Sequence, residues 1–150
     1  MGFRNSSALL YIVFMVSLCC TGAVYGETAP CALLTQDQVS TIVGGSVDAA
    51  SPIANTGCSW TKPGLPRIVV TVSMQSEKMF AAAKSLAQPG TTTTAISGLG
   101  DEAIFTGVVN FSSLWVRKGT KFLLVRIYGL SVSEAQTKLK TLATNALSKL

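Results

Sequence analysis

The sequence is most constrained by an apolar leader followed by only two further cysteines, Cys31 and Cys58, in a chain that contains no histidine. Arg4 is the only charge before Glu27, and positions 8–20 run almost wholly apolar, the order expected of a signal peptide. The run falls short of the about 20 apolar residues a membrane span needs. Val24-Tyr25-Gly26 offers small or aliphatic residues to a signal peptidase, so cleavage is expected before Glu27 and residues 1–26 are assigned to the leader. Extending the apolar stretch through Ala23 and Val24 leaves retention as an anchor open. Cys19 and Cys20 leave lipid modification open, although Val16-Ser17-Leu18 lacks the small residues usual before a lipidated cysteine. Membrane contact is expected only under those two fates, and the expected address is secreted, periplasmic or cell envelope.

An oxidising compartment favours joining Cys31 to Cys58, since a mature chain would carry those two cysteines alone. Such a bridge would stabilise the fold by about 3 kcal/mol in the chain-entropy model. The competing reading, a redox-active pair, needs a Cys-x-x-Cys spacing or a thiolate held by nearby positive charge, and neither is visible. Residues 27–150 suit one domain with a real core and are too few for two. The net charge of +5 falls by one with Arg4. Nucleic-acid binders concentrate basic residues on one face, whereas the densest group here, Arg117, Lys118, Lys121 and Arg126, amounts to one hairpin. It reads as a solvated strand edge that discourages aggregation, and no nucleic-acid partner is expected.

Thr35-Gln36-Asp37-Gln38 forms a capping box and Gly44 a stop, which predicts a helix over about 36–43 with Val39, Ile42 and Val43 facing the core. Three extended stretches follow, 45–50, 56–61 and 67–75, separated by Ser51-Pro52 and by Lys62-Pro63-Gly64-Leu65-Pro66. In the third, Ile68, Val70, Val72 and Met74 alternate with Val69, Thr71 and Ser73. A second helix is expected over 76–87, capped by Ser76, with Met79, Phe80, Ala83 and Leu86 as its apolar stripe. Thr91 to Thr94 reads as a loop or an edge strand. Further strands are expected over 102–105, 112–118 and 121–128, the last two joined by a tight turn at Gly119-Thr120. A final helix over 133–150, capped at Ser133, would bury Val132, Ala135, Leu139, Leu142, Ala146 and Leu147. The element order α-βββ-α-βββ-α with short connections implies an α+β domain, a curved antiparallel sheet with helices mainly on one face. The spacing hints at a duplicated unit of three strands and a helix.

The ordered segments Cys31-Ala32-Leu33-Leu34-Thr35, Val43-Gly44, Cys58-Ser59-Trp60, Gly98-Leu99-Gly100-Asp101-Glu102-Ala103 and Leu114-Trp115-Val116-Arg117-Lys118-Gly119 span nearly all of the mature chain. In these the chain resembles a family of small exported bacterial domains of uncharacterised function, many of them actinobacterial envelope lipoproteins. The resemblance implies a Cys31–Cys58 bridge, an α+β fold and an envelope address, and carries no chemistry with it. The chain differs from the lipoprotein members in the residues that precede Cys19 and Cys20.

Catalytic readings are weak. Without histidine there is no Ser-His-Asp or Cys-His arrangement, and Ala81-Ala82-Ala83-Lys84 has alanine where a Ser-x-x-Lys nucleophile would stand. Zinc would lack ligands, calcium would lack oxygen donors, and no metal or cofactor is expected. Gly98, Gly100 and Asp101 form the strongest local signature. A phosphate cradle would need a helix after it, whereas Ala103-Ile104-Phe105 reads as strand, so a tight turn with Asp101 bonding backbone amides is favoured. Asp101 and Glu102 as an acid and base pair would point to opposite faces of one strand.

The aromatic residues carry more weight. If Leu123, Val125 and Ile127 face the helices, the other side of the sheet presents Trp115, Phe122 and Tyr128 beside Arg117 and Arg126, a composition enriched at recognition surfaces. The competing reading is that a loop or the N-terminal segment covers this face and makes those rings core. Trp60 shares a strand face with Cys58 and is expected to pack against the bridge. The sequence thus points to an exported, non-catalytic domain that binds an envelope protein or small molecule through a sheet face. A small carboxylate-dependent hydrolase or transferase, or a structural subunit of an envelope complex, stands as the alternative.

Overall fold

A computed structural model describes residues 29–85 and 89–150, so the leader and the end of the expected second helix lie outside the described residues. A short 3-10 turn at Pro30–Ala32 leads into helix α1, Gln36–Val43. Thr35 Oγ1 accepts from the Gln38 amide at 3.2 Å while Gln38 Oε1 accepts from the Thr35 amide at 2.9 Å, and Gly44 ends the helix at φ 78°. Both orphan donors at the first turn are satisfied by the side chains the sequence placed there.

The order continues β1 Ser51–Ile53, β2 Gly57–Lys62, β3 Ile68–Gln75, α2 Glu77–Lys84, β4 Thr92–Ala95, β5 Glu102–Val108, β6 Phe111–Lys118, β7 Lys121–Tyr128 and α3 Val132–Leu147. All seven strands join one antiparallel sheet in the order β1-β2-β3-β7-β6-β5-β4. The domain is therefore α+β, as the sequence predicts.

Four details differ from the sequence reading. The stretch 45–50 is not a strand, and the first strand contains Pro52 instead. Gln36 Nε2 donates to the Val47 carbonyl at 2.7 Å and the Val47 amide donates to Ser40 Oγ at 3.2 Å, so side chains of α1 satisfy backbone groups that a ladder would otherwise hold. Proline is tolerated in β1 because that strand lies at the sheet's edge. The Thr91–Thr94 tract contributes the edge strand β4, which makes the second half four-stranded. Helix α3 starts one residue early, because Ser131 accepts from the Glu134 amide at 3.4 Å and takes the capping role expected of Ser133.

The main core fills the face carrying α1 and α3. Cys58, Trp60, Val70, Val72, Phe105, Leu114, Val116, Leu123, Val125 and Ile127 project there against Ala135, Leu139, Leu142 and Ala146 of α3. The Cys31–Cys58 disulfide fastens the 3-10 turn to β2, and the fully buried Trp60 belongs to the same cluster as Cys58. A smaller cluster on the opposite face joins Phe80 and Ala83 of α2 to Ile104, Trp115, Phe122 and Leu124. The two halves are thus not simple duplicates: α2 and α3 pack on opposite faces of the sheet.

Replacing Cys31 and Cys58 together with alanine is expected to lower the unfolding free energy by about 2–5 kcal/mol, read as a reduced urea midpoint under non-reducing conditions. An unchanged midpoint would show that the bridge adds no constraint beyond the packing around Trp60.

Candidate functional site

Alternation along β6 and β7 sends Ser113, Trp115 and Arg117 to the α2 face together with Phe122, Leu124, Arg126 and Tyr128. The structure divides this set. Helix α2 lies over Trp115 and Phe122, leaving them only 6% and 9% exposed, and the Phe80 ring meets Phe122 with centroids 5.5 Å apart. These two rings are core residues, which corrects their reading as binding residues. The cover is α2, placed there because the chain must cross the sheet between β3 and the far edge strand β4.

Arg117 is also occupied. Its Nε lies 3.7 Å from Glu102 Oε2, and Lys84 at the end of α2 pairs with the other oxygen of that carboxylate. The Lys84 hydrogen bond, reinforced by the charges of Lys84 and Arg117, holds the Glu102 carboxyl below its ordinary range against a smaller opposing effect of burial. Because the folded state lowers this proton affinity, the stabilisation is present above the ordinary Glu range and is lost as pH falls through the depressed value.

Asp101 serves the fold. Gly98 and Gly100 take φ 74° and 61°, and Asp101 Oδ2 then accepts from the Gly119 amide at 2.6 Å, fastening this turn to the β6–β7 turn. A Cβ at Gly100 would meet the Arg117 carbonyl oxygen, so both the dihedral and the space call for glycine here.

The basic hairpin is not a sheet edge, which corrects the aggregation reading: β7 is the central strand of the seven. Lys118 Nζ donates to the Leu147 carbonyl at 2.8 Å and Lys121 Nζ to the Leu150 carbonyl at 3.0 Å, so these cations satisfy groups at the C-terminal end of α3. Lys138 donates in the same way to Ile42 near the end of α1.

Arg126 stands apart from this pattern. It sits mid-strand between Thr71 of β3 and Ser113 of β6, directly across on either side. It is partly buried, its Nε is shielded from solvent without a hydrogen-bond partner, and among the described residues no carboxylate lies within ion-pair distance of it. It lines an open cleft of about 270 Å³ between the β1–β2 hairpin and the faces of β3 and β7, shared with Thr56, Thr71, Ser73, Gln75 and Tyr128. Tyr128 remains 38% exposed and stacks obliquely on Phe111, with centroids 4.8 Å apart.

Of the five residues singled out in the sequence, Arg126 and Tyr128 therefore meet at one open site. Thr71, Ser73 and Gln75 were missed as members of it. Their polarity on a strand whose other face is wholly apolar was the available signal. Neither Asp101 nor Glu102 lines the cleft. No family model, curated protein or solved structure matches the chain.

Trp115→Ala is expected to cost about 3–5 kcal/mol of stability, the range for emptying a buried aromatic site, measured by denaturant unfolding. Glu102→Gln should flatten the acid limb of the stability profile, with the difference from wild type vanishing as pH falls well below the carboxylate range; a constant difference at all pH values would argue against the ion pair.

Proposed function

We propose that this chain is an exported, non-catalytic envelope domain that binds a protein or small-molecule partner through the open half of its second sheet face. The observation that carries this reading is Arg126. Charged side chains inside a fold are ordinarily paired, and an unpaired, partly desolvated guanidinium costs free energy. Arg117, Lys118 and Lys121 each find an anion or carbonyl within the chain, whereas Arg126 points into a cleft walled by hydroxyls and an exposed tyrosine. Arginine and tyrosine are the residue types that concentrate binding energy in interfaces. The disulfide supports the exported address, because such bonds persist in oxidising compartments.

The reading separates stability from binding. Arg126→Met should leave the fold as stable as wild type or more so, by about 0.5–2 kcal/mol, the pattern of a residue kept at a cost to the fold. In affinity capture from envelope extract, Arg126→Met combined with Tyr128→Ala should reduce partner recovery at least tenfold, and Lys140→Ala on the exposed side of α3 should not. Recovery that survives the first pair and fails with Lys140→Ala would move the binding surface to the helical face.

A further inference from the structure

We propose that the cleft beside Arg126 is a carboxylate-binding subsite that takes a small organic acid, its carboxylate against the guanidinium and its apolar body against the Tyr128 ring. This rests on the reading of the open half-face as a binding surface and names the ligand class. Charge is the first argument. The cleft contains one arginine and no Asp or Glu, so its field favours an anion.

Donor geometry is the second. Backbone amides of β3 and β7 are committed to ladders with their neighbours, so these two strands offer the cleft their side chains as donors. Ser73 Oγ already accepts from Gln75 Nε2 at 2.9 Å, so its own hydrogen is available to a ligand. Thr71 lies directly opposite Arg126 and adds a second hydroxyl. A planar guanidinium fork with flanking hydroxyls matches two coplanar oxygens. A phosphate, with a third terminal oxygen to satisfy, is usually met by a nest of backbone amides, and these strands have none to spare.

Size is the third. About 270 Å³ falls just below the range of drug-sized sites, which suits a compact acid. Tyr128, braced by Phe111, supplies an apolar wall at the end of the cleft nearest the β7–α3 connection.

The test is a titration of the full-length, isotopically labelled protein, followed by amide and arginine Nε–H resonances, with benzoate, acetate, benzamide, inorganic phosphate and a poly-glutamate peptide. Benzoate should bind saturably, shifting Thr71, Ser73, Arg126 and Tyr128. Benzamide, of the same shape without the charge, should bind at least tenfold more weakly. Arg126→Met should weaken benzoate at least tenfold, and Tyr128→Leu should weaken benzoate more than acetate, which lacks the ring. Equal binding of benzoate and benzamide, shifts centred away from these residues, or tighter binding of phosphate would each overturn the carboxylate assignment. Tighter binding of poly-glutamate than of benzoate would overturn the small-molecule class in favour of an acidic polypeptide. A captured partner that maps to Arg126 and Tyr128 while benzoate fails would overturn this subsite alone; a partner that maps to α3 while benzoate binds would overturn the broader reading alone.

Discussion

The antiparallel ladder between β3 and β7 is the contact on which the rest of the molecule depends. It pairs Val69 through Gln75 with Tyr128 through Phe122, joining strands about 50 positions apart in the chain at the centre of the sheet. Closing so long a loop costs conformational entropy before any contact compensates for it, and the compensation here is apolar. Val70, Val72, Leu123, Val125 and Ile127 are all at most 1% exposed on the α3 side of this junction. The same register sets Thr71 beside Arg126 on the other side. One ladder therefore builds the deepest part of the core and the floor of the cleft, because neighbouring strand residues face opposite ways.

The disulfide and the lysines complete this plan in two different ways. The Cys31–Cys58 bridge holds the N-terminal turn against β2, where a short helix alone would bury too little surface to stay docked. Lys118, Lys121, Lys138 and Lys149 donate to carbonyls at or near the ends of the helices and of the N-terminal turn. Four lysines are thus spent at helix or turn ends, where cations meet the negative end of the dipole. Arg126 is conspicuous against that background because its position mid-strand reaches no helix end and no acidic neighbour.

Helix α2 decides how much of the second face can bind anything. It is short, and only Phe80 and Ala83 among its described residues are buried, yet they lie over Trp115 and Phe122 and remove them from the surface. The uncovered remainder carries Thr71, Ser73, Gln75 and Arg126, a polar strip on a sheet whose other face is apolar. The division of one face into a dry patch and an open cleft leaves the accessible part of that face on the side near the β1–β2 hairpin.

The local elements could be read directly from the chain. The capping box at Thr35 and Gln38, the alternation in β3, the turn at Gly119-Thr120 and the buried stripe of α3 each depend on residues within a few positions of one another, so propensity and hydrogen bonding suffice to specify them. The bridge followed from having one pair of cysteines beyond the expected leader, and the sorting of β6 and β7 side chains onto two faces followed from the two-residue period. What covers each face, which strand lies at an edge and which cation meets an anion were decided by the tertiary structure. Trp115 of β6 and Arg126 of β7 occupy the same sheet face, and their local sequence cannot distinguish them. One is buried and the other lines a cleft because a crossover helix, fixed by the distant pairing of β3 with β7, covers the first and stops short of the second.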